Sequence, residues 1–136
     1  MKDDARSAGA PWAGRDVLLR GGRILDPSQG MDETGDVLLR KGVIEAHGQS
    51  LGMPDEADVI DCTGAIVAPG FIDVHCHLRE PGREDVETIA TGARAAAVGG
   101  FTAVCAMPNT EPVTDNQAAV GFILRQAMRA GAAHVY

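Results

Sequence analysis

Alternation of apolar and polar residues marks one short stretch of the chain as a strand. From Ile72 to Leu78 every second residue is apolar, and the intervening series runs Asp73, His75, His77 and, next in step, Arg79. A period of two predicts a β-strand whose apolar face lies against hydrophobic cover. Its other face then carries a carboxylate, two imidazoles and a guanidinium in a row. Because buried polar groups need partners, this pattern favours a functional strand over a purely structural one.

Beyond that strand the pattern changes to a helical period. The predicted elements are a helix over residues 86–97, a strand over 101–107, a helix from Thr114 to just before Gly131 and a strand over 133–136. Asp85 is the predicted cap of the first helix, and Thr114 with Gln117 has capping-box spacing at the start of the second. The order β, α, β, α, β predicts parallel strands with their helices on one side. The predicted buried faces are Val86, Ile89, Ala90, Ala93 and Ala97 on the first helix, and Val120, Ile123, Leu124, Ala127 and Met128 on the second.

The first half of the chain reads as short strands separated by turns that contain glycine. The predicted strands cover residues 17–20, 23–25, 36–40, 43–46, 59–61 and 65–67. Gly21-Gly22, Thr34-Gly35 and Lys41-Gly42 are predicted turns, because glycine permits positive φ. Residues 15–68 are therefore expected to form a small β domain. Residues 1–14 mix charge with Ala, Gly and Pro, lack the apolar segment of a signal peptide, and are expected to form a disordered tail.

The chain is shorter than the fold that its element order begins. A (β/α)8 barrel takes about 250 residues, and this chain has 136. Its fold class is therefore expected to be α/β, as the start of a (β/α)8 TIM-type barrel preceded by part of a small β-sandwich domain. Residues 69–136 would be the first two βα units and the start of the third strand, too few to close the barrel. A deliberate stand-alone module is the alternative.

Composition and charge exclude several classes of partner. The formal net charge is -7 and no basic cluster occurs that could meet phosphates, so nucleic-acid binding is not expected. No run of about 18 apolar residues occurs, so no membrane span is expected. The three cysteines, Cys62, Cys76 and Cys105, form no Cys-x-x-Cys pair. Their odd number favours a reducing, cytoplasmic location over a disulfide framework.

His75 and His77 have the spacing of a two-histidine metal site. On a strand both rings leave the same face, about 6 to 7 Å apart at Cβ from a rise of about 3.3 Å per residue. Two ring nitrogens can then converge on one ion at about 2.0 to 2.1 Å. The alternative is a pair of surface histidines on an edge strand. The apolar opposite face and the turns at Pro69-Gly70 and Pro81-Gly82 favour the metal site.

Longer motifs around these histidines are similar to those of a known family. The run from Pro69 to Gly82 reads PGFIDVHCHLREPG, and it is followed by GGFT at 99–102 and MPNT at 107–110. Together they resemble the amidohydrolase superfamily and, within it, the dihydroorotases of the longer bacterial type. The resemblance runs from about Val17 to the end of the chain.

The resemblance implies a function and a set of site residues. Dihydroorotases catalyse the zinc-dependent, reversible hydrolysis of the cyclic amide of (S)-dihydroorotate to N-carbamoyl-L-aspartate in pyrimidine (UMP) biosynthesis. By resemblance, His75 and His77 would bind zinc, with one or two ions per site, and Arg79 and Asn109 would hold the carboxylate of this small-molecule substrate. The family's remaining ligands and its catalytic base come from later strands, beyond Tyr136, so the chain alone is expected to be inactive. The resemblance is also compatible with a homodimer and with a complex with aspartate transcarbamoylase.

Each candidate site residue also has a purely structural interpretation. Arg79 would form a salt bridge with Glu80 or Asp85. Asn109 would be a turn residue after a proline. Asp73 is either a partner for a histidine N–H or an anchor for the strand inside the barrel.

Three other functions are alternatives to a dihydroorotase. A hydantoinase or allantoinase would share the fold and the His-x-His, but the loop from Arg79 to Gly82 and the presence of Asn109 favour a dihydroorotase. A non-catalytic homologue that acts as a scaffold for aspartate transcarbamoylase would lack the metal histidines, and both are present here. The third alternative is a small binding module without catalysis, which would not carry further His and Asp residues at later strand ends.

Overall fold

Residues 14–136 are described by the computed structural model, and they form two units, residues 14–69 and 70–136. The predicted disordered tail at residues 1–14 lies, apart from Gly14, outside the described residues. No helix in the described part of the chain is both long and apolar enough to cross a membrane.

A five-stranded sheet makes up the first unit. Its strands are β1 (Val17–Asp26), β2 (Met31–Arg40), β3 (Val43–Gly48), β4 (Asp58–Asp61) and β5 (Ile66–Val67). β1, β2 and β3 form an antiparallel meander, whereas β4 and β5 pair in parallel with β1. The buried apolar side chains are Val17, Leu18, Ile24, Val37 and Leu38. The β structure predicted for this region is confirmed.

Glycines that were expected at turns lie inside two long strands of this sheet. The predicted breaks at Gly21-Gly22 and Gly35 were wrong, because β1 continues through a bulge and β2 is unbroken. Gly22 and Gly35 pair with each other across the two strands. A Cβ on Gly22 would lie 2.6 Å from Cγ2 of Val67, and one on Gly35 would lie 2.8 Å from the carbonyl oxygen of Gly48. These glycines therefore permit close approach of neighbouring segments rather than a change of direction.

A three-stranded parallel sheet with two helices makes up the second unit. Its elements are β6 (Phe71–Cys76), α1 (Ile89–Val98), β7 (Phe101–Ala106), α2 (Gln117–Ala130) and β8 (His134–Val135), and the sheet order is β6-β7-β8. Both strand pairs are parallel, so the predicted β, α, β, α, β order is confirmed. The two helices pack against each other and share one core with the sheet.

Every element of the second unit contributes to that core, although β6 supplies only the partly buried Cys76 and the buried Leu78 follows the strand. Its buried members are Leu78, Ile89, Ala93, Val104, Ile123 and Val135. On α1 the prediction was right for Ile89 and Ala93, whereas Ala97 is exposed and Ala96 packs against the core instead. The apolar stripe of α1 is therefore rotated slightly from the predicted one.

Two predicted apolar faces are exposed in the described residues. On α2 the exposed members are Val120, Leu124 and Met128, and on β6 they are Ile72 and Val74. β6 is an outer strand of the described sheet, and α2 is the last described helix. The prediction that the apolar face of the histidine strand is covered was therefore wrong for Ile72 and Val74 in this structure.

The start of α1 differs from the prediction. Oγ1 of Thr88 accepts a hydrogen bond from the N–H of Thr91 at 3.1 Å, and Oγ1 of Thr91 accepts one from the N–H of Thr88 at 3.0 Å. This reciprocal capping box begins the helix at residue 89. Asp85, the predicted cap, instead pairs with Arg83 at 3.1 Å. Val86 consequently lies before the helix and is exposed.

The start of α2 also differs, whereas its end was predicted correctly. Oδ1 of Asn116 accepts hydrogen bonds from two backbone N–H groups of the first turn, both at 3.1 Å. Thr114, the predicted cap, shares a hydrogen bond of 2.8 Å with the hydroxyl of Thr110. The helix ends at Gly131, which adopts the left-handed conformation with φ of 59°.

Candidate metal and substrate site

Two polar loops meet at one edge of the parallel sheet. β6 ends at Cys76, whose carbonyl oxygen accepts a hydrogen bond from the N–H of Met107 at 2.8 Å. β7 ends at Ala106. Because parallel strands bring their carboxyl ends to one edge, the loops that follow β6 and β7 lie side by side. These loops carry Arg79 and Asn109.

The strand that carries the histidines is shorter than predicted. It was expected to run to Leu78, but β6 ends at Cys76, so His75 lies in the strand and His77 is the first residue beyond it. The chain turns here because the side chain of Leu78 is buried in the core. The two imidazole rings nevertheless remain neighbours, with centroids 5.2 Å apart at an interplanar angle of 68°. The structure therefore brings together the two residues that the sequence pairs.

His77 contacts the predicted substrate residue of the second loop. Its Nδ1 lies 2.8 Å from Oδ1 of Asn109. Because an amide oxygen can only accept, this hydrogen bond requires the proton on Nδ1 of His77. The lone pair of Nε2 is then free for another partner. Asn109 is thus more than a turn residue after a proline, since its side chain reaches across to the first loop.

Asp73 acts on the backbone in this structure. Its Oδ1 accepts a hydrogen bond from the backbone N–H of His75 at 2.9 Å. The contact is local to β6, and both interpretations of Asp73 stay predictions. The carboxylate thereby fixes the backbone of β6 at the first histidine.

Cys76, which lies between the two histidines, is a packing residue. It contacts the core of the second unit. Burial raises the pKa of the Cys76 thiol, and the negative charges of Asp73 and Glu87 raise it further. The Cys76 side chain therefore serves packing in the described residues.

Arg79 is held in an uncommon backbone conformation. Its φ is 61°, in the left-handed region that residues other than glycine seldom occupy. The N–H of Glu80 donates to the carbonyl oxygen of Leu78 at 2.7 Å, which closes a three-residue turn with Arg79 at its apex. The side chain of Arg79 is exposed. The turn therefore sends Leu78 into the core and leaves the guanidinium at the surface of the loop.

Neither carboxylate of the alternative, structural interpretation of Arg79 is bound to it. Asp85 pairs with Arg83. The two carboxylate oxygens of Glu80 accept hydrogen bonds from the N–H of Ile89 at 2.7 Å and from Nε2 of Gln126 at 3.2 Å. Within the described residues, Arg79 forms no salt bridge.

Two residues that the sequence interpretation missed, Thr110 and Gly82, shape these loops. Thr110 is buried, and its hydroxyl donates to the carbonyl oxygen of Pro112 at 2.7 Å, which holds the loop that carries Asn109. The N–H of Glu111 donates to the carbonyl oxygen of Pro81 at 3.0 Å. Gly82 has φ of 107°, and a Cβ there would overlap with the carbonyl oxygen of Glu111. Both residues lie in the recognised motifs, but only the folded loops reveal these contacts.

The residues present fit a zinc site in part. Among the described residues, no group of three or more His, Cys, Asp or Glu side chains could hold a metal ion. His75 and His77 offer two nitrogen donors, half of the four that zinc usually takes. The hydrogen bond from His77 to Asn109 is of the kind that a ligand histidine makes with its second ring nitrogen, because such a bond fixes the tautomer and the ring orientation.

Fold and site together define the class of protein. A parallel sheet packed against helices, with polar residues just past the carboxyl ends of its strands, is the arrangement of (β/α)-barrel proteins. The described residues supply three strands of such a barrel and do not close it. The chain belongs to the dihydro-orotase-like family, whose model matches residues 64–135.

Individual relatives agree with this assignment. A dihydroorotase from Geobacter sulfurreducens is 51% identical over 120 residues, which make up 88% of this chain and 28% of that relative. An L-hydantoinase (dihydropyrimidinase) from Arthrobacter aurescens superposes with a TM-score of 0.68 at 26% identity, covering 83% of this chain and 25% of that one. A D-hydantoinase (dihydropyrimidinase) from Thermus sp. superposes with a TM-score of 0.62 at 31% identity, covering 82% and 24%. The predicted family and fold class are confirmed, and the chain spans less than a third of the length of these relatives.

Proposed function

We propose that the protein to which this chain belongs is a zinc-dependent dihydroorotase, which reversibly hydrolyses the cyclic amide of (S)-dihydroorotate to N-carbamoyl-L-aspartate. One observation carries the proposal: the His77–Asn109 hydrogen bond joins a candidate metal ligand to a candidate substrate residue at the edge where Arg79 is also exposed. Membership of the dihydro-orotase-like family supports the same reaction.

His75 and His77 are the residues of this chain that would hold zinc. Asn109 orients the ring of His77 so that the lone pair of Nε2 is free to bind a metal ion. The ring of His75 lies beside it, with the two ring centroids 5.2 Å apart. A bound zinc ion would polarise the amide carbonyl and activate water at neutral pH. The chain's own part in this chemistry is to hold both rings in place, through the core contact of Leu78 on one side and the loop of Asn109 on the other.

Arg79 and Asn109 would hold the substrate's carboxylate. The guanidinium of Arg79 is exposed and forms no ion pair among the described residues, so its planar fork is free to donate two parallel hydrogen bonds. The oxygen of Asn109 is occupied by His77, which leaves its NH2 group as the donor for a ligand. Two donors at one edge of the sheet suit a carboxylate.

We also propose the organisation around this site. Residues 15–68 would form a small β domain and residues 69–136 the first part of the barrel, with any second zinc ion held by residues outside this chain. The three free cysteines support a reducing, cytoplasmic location. Association with itself or with aspartate transcarbamoylase would be measured by sedimentation of the complete enzyme with and without the transcarbamoylase.

A comparison of two substrates tests the proposal. Dihydrouracil is the ring of dihydroorotate without its carboxylate. The zinc-loaded complete enzyme should therefore have a kcat/KM for dihydroorotate that is about 10- to 100-fold higher than its kcat/KM for dihydrouracil. This factor corresponds to the free energy of one charge-assisted hydrogen bond. Equal or faster turnover of dihydrouracil would favour the hydantoinase alternative. The structural similarity to two hydantoinases is the observation that supports this alternative. Absence of both zinc binding and turnover of either substrate would favour the scaffold alternative.

A further inference from the structure

The carboxylate of Glu80 joins the loop after β6 to both helices of the second unit. Its Oε2 accepts a hydrogen bond from the N–H of Ile89, the first residue of α1, at 2.7 Å. Its Oε1 accepts one from Nε2 of Gln126 in α2 at 3.2 Å. Glu80 is partly buried, and the helix N-terminus favours a negative charge at this place. The residue directly after Arg79 is therefore fixed to two elements that do not belong to the loop.

The residue directly before Arg79 is fixed as well. Leu78 is 4% exposed and belongs to the core, and its carbonyl oxygen accepts the hydrogen bond from the N–H of Glu80. Arg79 thus lies between two anchored neighbours with φ of 61°, and its carbonyl oxygen accepts a further bond from the N–H of Arg83 at 3.0 Å. Uncommon φ values persist where the surroundings impose them, and they are concentrated at functional sites.

We propose that Glu80 is a positioning residue for Arg79: by holding the turn against α1 and α2, its carboxylate keeps the guanidinium aimed at the substrate's carboxylate. The inference rests on the proposed function, since it assumes that Arg79 grips the substrate. Glu80 itself contacts both helices. Its two oxygens accept hydrogen bonds from Ile89 and Gln126, and no ion pair with Arg79 forms among the described residues.

Capping of α1 is the competing explanation for these contacts. The helix has its own capping box, in which Thr88 and Thr91 satisfy each other's backbone N–H groups. Replacement of Thr88 therefore weakens the start of α1 without removing the carboxylate of Glu80. This makes Thr88→Ala a matched control, because a mere loss of helix stability should affect both variants alike.

A double-mutant cycle on the zinc-loaded complete enzyme tests the inference. Glu80→Ala should raise KM for dihydroorotate about 10-fold with a smaller change in kcat, since a substrate-binding group is displaced rather than removed. Glu80→Gln keeps an acceptor for the N–H of Ile89 and should restore KM to within about 3-fold of the wild-type value. In an Arg79→Lys background, Glu80→Ala should add less than about 2-fold, because coupled residues are not additive. Thr88→Ala should lower the melting temperature and leave KM unchanged.

The outcomes separate this inference from the proposed function. Normal kinetics for Arg79→Lys would overturn the substrate clamp itself, and the role of Glu80 with it. If Arg79→Lys is impaired and Glu80→Ala raises KM in that background as much as it does in the wild type, only the positioning role would be overturned. The positioning role would also be overturned if Thr88→Ala raised KM as much as Glu80→Ala does. If Glu80→Ala does not fold, Glu80→Asp decides, because withdrawal of the carboxylate by one methylene should still raise KM, and an unchanged KM contradicts the inference.

Discussion

Asn109 connects the metal part of the site to the substrate part through a single side chain. Its oxygen accepts from Nδ1 of His77 at 2.8 Å, and its nitrogen remains available as a donor. A side-chain amide can do both because its two ends have opposite hydrogen-bonding character. The two functions can therefore be separated by a substitution that retains the oxygen and removes the donor.

Replacements of Asn109 should affect zinc and substrate differently. Asn109→Ala removes the acceptor for His77, and loss of such a partner typically weakens metal binding by about 10- to 100-fold. Asn109→Asp keeps an acceptor in the same place, so zinc should bind at least as tightly, while the added negative charge should raise KM for dihydroorotate. Competition with a chelator measures the first effect, and steady-state kinetics the second. Unchanged zinc affinity in Asn109→Ala would show that the hydrogen bond does not orient the ligand.

Candidate ligands could be predicted from sequence at this scale, but the residues that support them could not. His75, His77, Arg79 and Asn109 belong to motifs that were recognised from their letters alone. Glu80 entered the sequence interpretation only as one of two alternative ion-pair partners of Arg79, yet it binds the start of α1 and a side chain of α2. Such contacts join residues far apart in the sequence, and periodicity carries no signal for them.

At the scale of elements, helix ends were the least predictable feature. Asp85 and Thr114 are both residue types that cap helices, and they lie three and two residues before the caps that the structure has. The actual caps, Thr88 and Asn116, are of the same types, so local chemistry alone allows several registers. The choice is made by packing, since α1 must place Ile89 in the core.

A pair of substitutions distinguishes the observed cap of α1 from the expected one. Thr88→Ala removes the side-chain acceptor of the capping box and should lower the free energy of unfolding by about 1 kcal/mol. Asp85→Ala breaks only an exposed ion pair with Arg83 and should cost less than about 0.5 kcal/mol. Urea denaturation of both variants measures the difference. A larger loss of unfolding free energy in Asp85→Ala than in Thr88→Ala would support the predicted helix start at residue 86.

Gly82 allows the loop that follows β6 to contact the loop that follows β7. Gly82→Ala introduces a Cβ that overlaps with the carbonyl oxygen of Glu111, so the loops that carry Arg79 and Asn109 should move apart. We expect kcat/KM to fall about 10- to 100-fold, the effect of a misplacement of about 1 Å. Gly42→Ala is the matched control, because Gly42 also has positive φ, 77°, but a Cβ there meets no atom within 4 Å. Equal kinetic losses in the two variants would contradict the role of the loop contact.

For the whole molecule, the order of strands and helices could be predicted from sequence, but which of their apolar faces are buried could not. Alternating strand and helix patterns led to the parallel sheet β6-β7-β8, because the connection rules leave few topologies for that order. Ile72 and Val74 were expected to be covered, but burial depends on which other elements are present. In the first unit, the strands β1 and β2 proved longer than predicted, because a glycine that permits close approach has the same sequence signal as one in a turn.

The isolated 136-residue chain should have no measurable dihydroorotase activity. His75 and His77 provide only half of the ligands that zinc usually takes, and the described residues contain no cluster that completes the set. We therefore expect weak zinc binding, measured by equilibrium dialysis, and no ring opening of dihydroorotate. Robust turnover by the isolated chain would mean that the site has been placed wrongly.

The most direct measurement of the central claim is kcat/KM of Arg79→Lys in the zinc-loaded complete enzyme, with dihydroorotate and dihydrouracil as parallel substrates. Lysine keeps the charge but loses the planar two-point geometry, so kcat/KM for dihydroorotate should fall about 10- to 100-fold. The rate with dihydrouracil, which has no carboxylate to grip, should stay the same, as should zinc content and melting temperature. Near-normal kinetics with dihydroorotate, or an equal loss with both substrates, would contradict the assignment of Arg79 to the substrate's carboxylate.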